Sequence, residues 1–379
     1  MNLTKKILTS FMVLSFLLGG LLPMQAQARK DDGSSTVVLT PNDKTLPAAA
    51  KPAAGLNTMK EWPVQSVETG GTLLFSDSPE NVDKDGILYA DTVEGKARIL
   101  YYHLNATRTD KKVAVILENL SADTAVVSVT RGGMGGPSED YLDVGKNTQT
   151  EYFYAPKLTR MTMDPGEKRL LDARMGTTVV SPDKLVYGVF DFTANAPVRV
   201  TVLMYPAEEN PFTFMTKARV LPADSHRLRG TFAGMDRYVT SDRLYDPEKD
   251  GAIYFSLADD KRDLYRTGVD ATDGSLVKNY GNYGILYSIN IPTRGTGRTR
   301  YYLKPAGGVY AGVMTVRKGF NGEETMLPTP ADRTFFGEDP KRIDLSDLGT
   351  YNNMQSVWFK FSPPGASNLP VRIILMPVQ

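Results

Sequence analysis

The residues best suited to chemistry are Tyr265, Tyr280, Asn282 and Tyr283, the last three inside Asn279-Tyr280-Gly281-Asn282-Tyr283-Gly284. A flat tyrosine ring covers the apolar face of a pyranose and still presents a polar hydroxyl, while neighbouring amides bond the sugar hydroxyls. The pattern therefore points to a sugar platform. The competing reading is turn chemistry, with the tyrosines covering a sheet edge. Nearby, Asp270-Ala271-Thr272-Asp273-Gly274-Ser275 places the oxygen ligands of Asp270 and Asp273 beside a tight turn, as calcium prefers. It lacks the alternating acids and closing glutamate of a calcium-binding helix-loop-helix, so an ordinary Asp-Gly turn is the simpler reading.

Other chemistries meet sharper limits. The chain has no cysteine, which excludes a thiol nucleophile, a disulfide framework and a lipid-attachment cysteine. Its two histidines, His103 and His226, cannot make a conventional zinc site without several carboxylates, and structural roles are expected for both. No Gly-x-Ser-x-Gly elbow is present to build a serine triad. Gly132-Gly133-Met134-Gly135-Gly136-Pro137-Ser138 has the glycine content of a phosphate cradle, but such a cradle opens a helix and Pro137 opposes that. The stretch reads as a flexible loop between strands. The paired carboxylates of a glycosidase are recognisable only by geometry. The expectation is thus a non-enzymatic protein without cofactor or metal.

The elements that must hold these residues repeat along the chain. Ile99-Leu100-Tyr101 returns as Ile285-Leu286-Tyr287, Thr107-Arg108 as Thr293-Arg294, and Arg131-Gly132-Gly133 as Arg317-Lys318-Gly319, all at an offset of 186 residues. Lys84 to Tyr89 matches Lys249 to Tyr254 at an offset of 165, and Pro197 to Val200 matches Pro370 to Ile373 at 173. A tandem duplication of one module is expected, with about 21 extra residues in the second copy, within 258–283. Short apolar runs fall at 86–89, 99–104, 113–118, 126–130, 185–192 and 198–204. Val198, Val200, Val202 and Met204 alternate with Arg199 and Thr201, the period of a half-buried strand. No window of twelve residues shows a helical stripe. The expected fold class is all-β, with two tandem antiparallel β-sandwich-like domains following a signal peptide and a disordered linker.

Residues 1–28 have the three parts of a secretory signal: Lys5-Lys6, an apolar run from Ile7 to Leu22, and Ala26-Gln27-Ala28 for cleavage after Ala28. Residues 29–65, rich in Asp, Ser, Pro and Ala, read as a flexible tether. Sandwich repeat one then spans 66–210, an interdomain linker 211–229, whose apolar residues are expected to pack, and repeat two 230–379. Cleavage would remove two of the 44 basic residues and none of the 43 acidic ones, leaving net charge −1. A basic excess for nucleic acid is absent, and no transmembrane segment is expected once the leader is gone.

Asn282-Tyr283-Gly284-Ile285-Leu286-Tyr287, Gly307-Gly308-Val309-Tyr310-Ala311-Gly312 and Pro363-Pro364-Gly365-Ala366-Ser367-Asn368-Leu369-Pro370 resemble a family of uncharacterised bacterial exported proteins. These often carry the label of copper amine oxidase N-terminal-like domain proteins. The resemblance covers roughly residues 66–379 and implies a cell-envelope protein. It implies no oxidase chemistry, since the oxidase domain uses three histidines for copper and this chain has two in all. The expected role is exported and extracellular: binding an envelope polysaccharide or a surface protein through sandwich loops. The alternatives are a self-associating structural component and a glycan-active enzyme.

Overall fold

Runs of β-branched and aromatic residues broken by Gly, Pro and Asp turns leave the chain few helical options, and strands result. The computed structural model describes residues 59–379 apart from 155, 157, 340–342 and 379. The expected leader and the tether up to residue 58 lie outside the described residues. About half of the described residues are strand and 9% helix, an all-β sandwich-type fold.

Four of the expected short strands are two long ones. Gly86–Asn105 and Leu185–Pro206 pair antiparallel along nearly their whole length, with a shift of register between Ala194 and Val198. Gly95, at φ +81°, takes the break in the first strand, where an added Cβ would meet open space. Past the break the partners change. Residues 198–206 pair with Lys111–Asn119, whereas 185–194 pair with Ala125–Ser138. An irregularity in mid-strand increases twist and lets one strand turn the corner between two layers. Leu74, Ile99, Tyr101, Val115, Val127 and Phe190 fill the space between the layers.

The second half repeats this order with separate strands. One sheet runs Lys60–Glu61, Ile253–Leu257, Val371–Val378, Arg298–Pro305, Ser346–Asn352; the other runs Glu324–Thr329, Gly312–Lys318, Val357–Phe361, Leu286–Ile289, Asp236–Thr240, Gln65–Thr69. In the first half, Gly86–Asn105, Leu185–Pro206, Lys111–Asn119 and Lys168–Leu170 follow one another in the matching way.

The halves exchange their leading segments. Gln65–Thr69 precedes Thr72–Ser76 in sequence but pairs with Asp236–Thr240. Arg229–Ala233 precedes Asp236–Thr240 but pairs with Thr72–Ser76. Lys60–Glu61 lies parallel on Ile253–Leu257, while Val220 bridges Ile87.

Three segments take part in this arrangement. Structure begins before residue 66, with Trp62 buried edge-on against Tyr245 at 5.6 Å. The expected linker 211–229 is an ordered part of the first half. Asn210 caps the helix Pro211–Lys217 by accepting from the backbone N–H groups of Phe212 and Thr213, and Phe214 and Leu221 enter the first core. The insertion at 258–283 supplies the hairpin Thr267–Val269 and Leu276–Lys278, which extends the first half's large sheet beyond Arg229–Ala233.

Two expectations fail together at Gly132 to Ser138. These residues are not a loop but the end of the strand Ala125–Ser138, and a fourteen-residue helix, Tyr141–Tyr154, lies on them. A Cβ on Gly133 would stand 2.3 Å from the Thr148 carbonyl oxygen, and one on Gly135 2.4 Å from that of Val144. Glycine is what lets helix and strand backbones touch. On its other side the helix meets the second half: a Cβ on Gly145 would stand 2.1 Å from the Gly365 carbonyl oxygen, and the Gln149 side chain accepts from Val313 N–H and donates to the Ser362 carbonyl. The buried face alternates apolar Val144, Tyr152 and Phe153 with Gly145, Thr148 and Gln149, so its apolar stripe is broken and weak to read.

Arg98 ties the halves at their centre. It is 1% exposed, its Nε lies 2.6 Å from Asp191, and Nη1 donates to the carbonyls of Met235 (2.6 Å) and Gly284 (3.0 Å). Nη2 reaches Asp236 at 3.0 Å. The surrounding carboxylates hold the guanidinium charged despite its burial, which opposes that charge.

Candidate functional site

The sheet that carries Thr72–Ser76 is buried on both faces. Leu74 points into the first core, whereas Leu73, Phe75, Leu100, Tyr102 and Tyr187 point the other way, into the cluster shared with the second half. At one end of this shared layer the packing opens into a cavity of about 630 Å³. That volume suits a small ligand or a few residues of a polymer.

Its outer wall comes from the insertion. Tyr265 and Tyr280 meet edge to face at 6.0 Å, and the Lys278 ammonium stands 5.5 Å and 5.7 Å from their ring centres while pairing with Asp260 at 2.6 Å. Tyr280 is 45% exposed. Tyr283 lies deeper and donates its hydroxyl to the Ser367 carbonyl at 2.7 Å. A Cβ on Gly281, at φ +100°, would stand 2.6 Å from the Tyr283 ring, so glycine is needed for the ring to lie there.

The inner wall comes from the first half. Tyr102 and Tyr187 form an edge-to-face pair at 5.8 Å. Asp77 and Glu80 line the cavity beside them. Burial pushes the Asp77 carboxyl well up, and the nearby charges of Glu80 and Asp224 add to it. Burial raises Glu80 to about 7, with Asp224 contributing. Asp77 Oδ1 is shut from solvent and no protein group donates to it. Asp224 stands behind them, its carboxylate accepting from the N–H groups of Glu80, His226 and Arg227 and from the Ser78 hydroxyl. Of the cations that line the cavity, Arg227 pairs with Asp273 at 2.6 Å and Lys278 with Asp260, whereas Lys261 stands exposed at the mouth.

The structure thus brings Tyr265, Tyr280 and Tyr283 to one cavity and leaves Asn282 out of its lining. Asn282 is fully buried. Its amide donates to the Tyr287 hydroxyl at 2.9 Å and its oxygen accepts from Arg266 N–H at 2.9 Å, which fixes the turn behind the wall. Asp270 pairs with buried Arg229 at 2.7 Å, and the Arg227 guanidinium and Ser275 hold Asp273 below the usual carboxylate range. No group of three or more potential metal ligands stands together among the described residues. His103 is buried between the Ser76 hydroxyl (2.9 Å) and the Pro79 carbonyl (3.0 Å), whereas His226 lines the cavity. Sequence reasoning missed Asp77, Glu80, Tyr102 and Tyr187. The available signal was two acids, Asp77 and Glu80, directly after an apolar strand with three consecutive buried residues, Leu73 to Phe75.

No family model and no curated protein matches the chain. Among solved structures, it is similar at 9% identity to the CUB1-EGF-CUB2 domain of human MASP-1/3, covering 83% of this chain and 99% of that one with a TM-score of 0.20. PNGF-II matches at 8% identity over 84% of this chain and 65% of its own, TM-score 0.17. Vicilin from Solanum lycopersicum (tomato) matches at 10% over 80% and 84%, TM-score 0.12. Among the described residues no helix is long and apolar enough to cross a membrane.

Proposed function

We propose that this is an exported binding protein that holds a segment of an envelope glycan in the cavity between its halves. The observation that carries the reading is the cavity wall: Tyr265, Tyr280, Tyr283, Tyr102 and Tyr187 converge on one space of about 630 Å³. Tyrosine faces and edges stack on pyranose rings, and buried carboxyls with backbone carbonyls serve hydroxyl groups. The secretory leader read in residues 1–28 supports an extracytoplasmic location. The matching strand orders of the two halves support the duplication read from the repeats.

A glycan-active enzyme is the second reading, because Asp77 and Glu80 share the cavity. Hydrolysis needs one carboxyl protonated and the other ionised, with environments that push their pKa values apart. Here burial and the nearby Asp224 push both upward. Binding without turnover is therefore favoured.

Pull-down of the exported chain on purified cell wall and insoluble glycans tests the proposal, with Tyr265→Ala and Tyr280→Ala as variants. Retention that falls about tenfold in the double variant, with the fold intact by circular dichroism, is the expected result. Absence of retention on every glycan refutes it, and release of reducing ends that stops in Glu80→Gln would establish the enzyme instead.

A further inference from the structure

Resting on the glycan reading, we infer that the cavity is selective for an amino sugar, whose ammonium group is received by Asp77 and Glu80 between the rings of Tyr102, Tyr187 and Tyr283.

The argument is one of missing charge. Asp77 and Glu80 line the cavity, with Asp224 close behind. Among the described residues no lysine, arginine or histidine forms an ion pair with Asp77 or Glu80, although the fold pairs its other buried carboxylates generously: Asp191 with Arg98, Asp270 with Arg229, Asp263 with Arg237. Burying carboxyl groups in this way is costly unless a positive partner arrives. With a neutral sugar in place both acids keep their raised affinity for a proton. An ammonium offsets that, since an opposite charge at close range favours both ionised forms.

The walls suit the same ligand. A cation over a tyrosine ring is attracted by the ring's quadrupole, and most strongly where water is excluded. The Tyr102 and Tyr187 rings are fixed edge to face, and Tyr283 is pinned through its hydroxyl, so these faces are set before a ligand enters. A free alkylamine would use the acids and the inner rings. It would leave Tyr265 and Tyr280 without a stacking partner, and this favours an amine carried on a sugar.

Calorimetry of the full chain at one pH near neutrality, with three soluble oligosaccharides of equal length, decides the matter: fully deacetylated glucosamine oligomers, their N-acetylated counterparts and cello-oligosaccharides. We expect the glucosamine oligomers to bind at least about tenfold tighter than the other two, the range of a charge-assisted hydrogen bond. Asp77→Asn with Glu80→Gln should erase that preference while weak binding of the neutral oligomers persists, which also shows that the variant is folded. Equal binding of all three oligomers, or a preference that survives the double variant, overturns the ammonium site and leaves the glycan reading standing. Binding of 1,4-diaminobutane but of no oligosaccharide overturns the sugar and the glycan reading together.

Discussion

At the scale of single residues, the cavity acids and a buried histidine push the pH dependence of stability in opposite directions. Glu80 is raised from its ordinary 4.5 to about 7 by burial and by Asp224. A raised carboxyl contributes stability that is present below its unfolded value and lost as pH climbs toward 7. His103 is lowered from 6.5 to about 4, chiefly by burial, so its contribution is present above 6.5 and lost as pH falls toward 4. The groups that face Glu80 are Asp77, Asp224, Tyr102, Tyr141 and Tyr283, none of them positive. Between about pH 4.5 and 6.5 the two slopes oppose each other. Urea unfolding of the double variant Asp77→Asn with Glu80→Gln should therefore reveal the histidine slope, with stability falling by about 1 kcal/mol or more as pH drops across that window. A flatter curve than the wild type's would contradict the assignment. Arg229 offers a separate test. It is buried against Asp270 and donates to the carbonyl of Leu221 at 2.8 Å, so Arg229→Met strands a buried carboxylate. The expected loss is about 3–5 kcal/mol by denaturant titration.

At the scale of elements, the closest packing occurs where the helix Tyr141–Tyr154 lies on the glycine-bearing strand Ala125–Ser138. Any side chain at Gly133 must displace the helix backbone, since its Cβ would stand 2.3 Å from the Thr148 oxygen and 2.8 Å from the Tyr152 nitrogen. Gly133→Val should destabilise by about 1–3 kcal/mol, the range of overpacked interiors. It should also loosen the link from Gln149 to Val313 in the second half, read as faster amide exchange at Val313. Gly319, which ends the similar text Arg317-Lys318-Gly319, has open space around its Cβ and φ +70°, so Gly319→Asn should be nearly neutral. Both positions follow the same Arg-x-Gly text, yet only one carries a helix on top of it. The same short text therefore stands inside one strand and just past the end of another, in two quite different environments.

At the scale of the whole molecule, the exchange of leading strands makes the halves one cooperative unit. Gln65–Thr69 completes the sheet of the second half and Arg229–Ala233 that of the first. The Arg98 cluster and the aromatic layer of Leu73, Phe75, Tyr102 and Tyr187 then bury the contact between them. Heating should show a single transition. Cutting the full chain at an engineered protease site in the turn around Glu208 and Asn210 should leave the fragments together on gel filtration. Two transitions, or fragments that elute separately, would mean that the halves fold as independent domains. The exchange also explains why the cavity lies where it does. Its inner wall belongs to a first-half sheet that is extended by second-half strands, and its outer wall is the hairpin that continues that same sheet.

What the chain determines by itself is local. Alternation of apolar residues and turn chemistry specify strands, and the aromatic content of 258–283 marks the outer wall, because backbone period and ring chemistry are properties of neighbouring residues. The helix escaped because contact through Gly133, Gly135 and Gly145 needs no apolar stripe. The long strands escaped because joining 86–89 to 99–104 depends on pairing with a partner about a hundred residues away. The inner wall was decided by tertiary structure alone. Leu73 and Leu74 are equally apolar, and only the packing of a second half on one face of the sheet sends one to each core and brings Asp77 and Glu80 to the same cavity as Tyr265 and Tyr280.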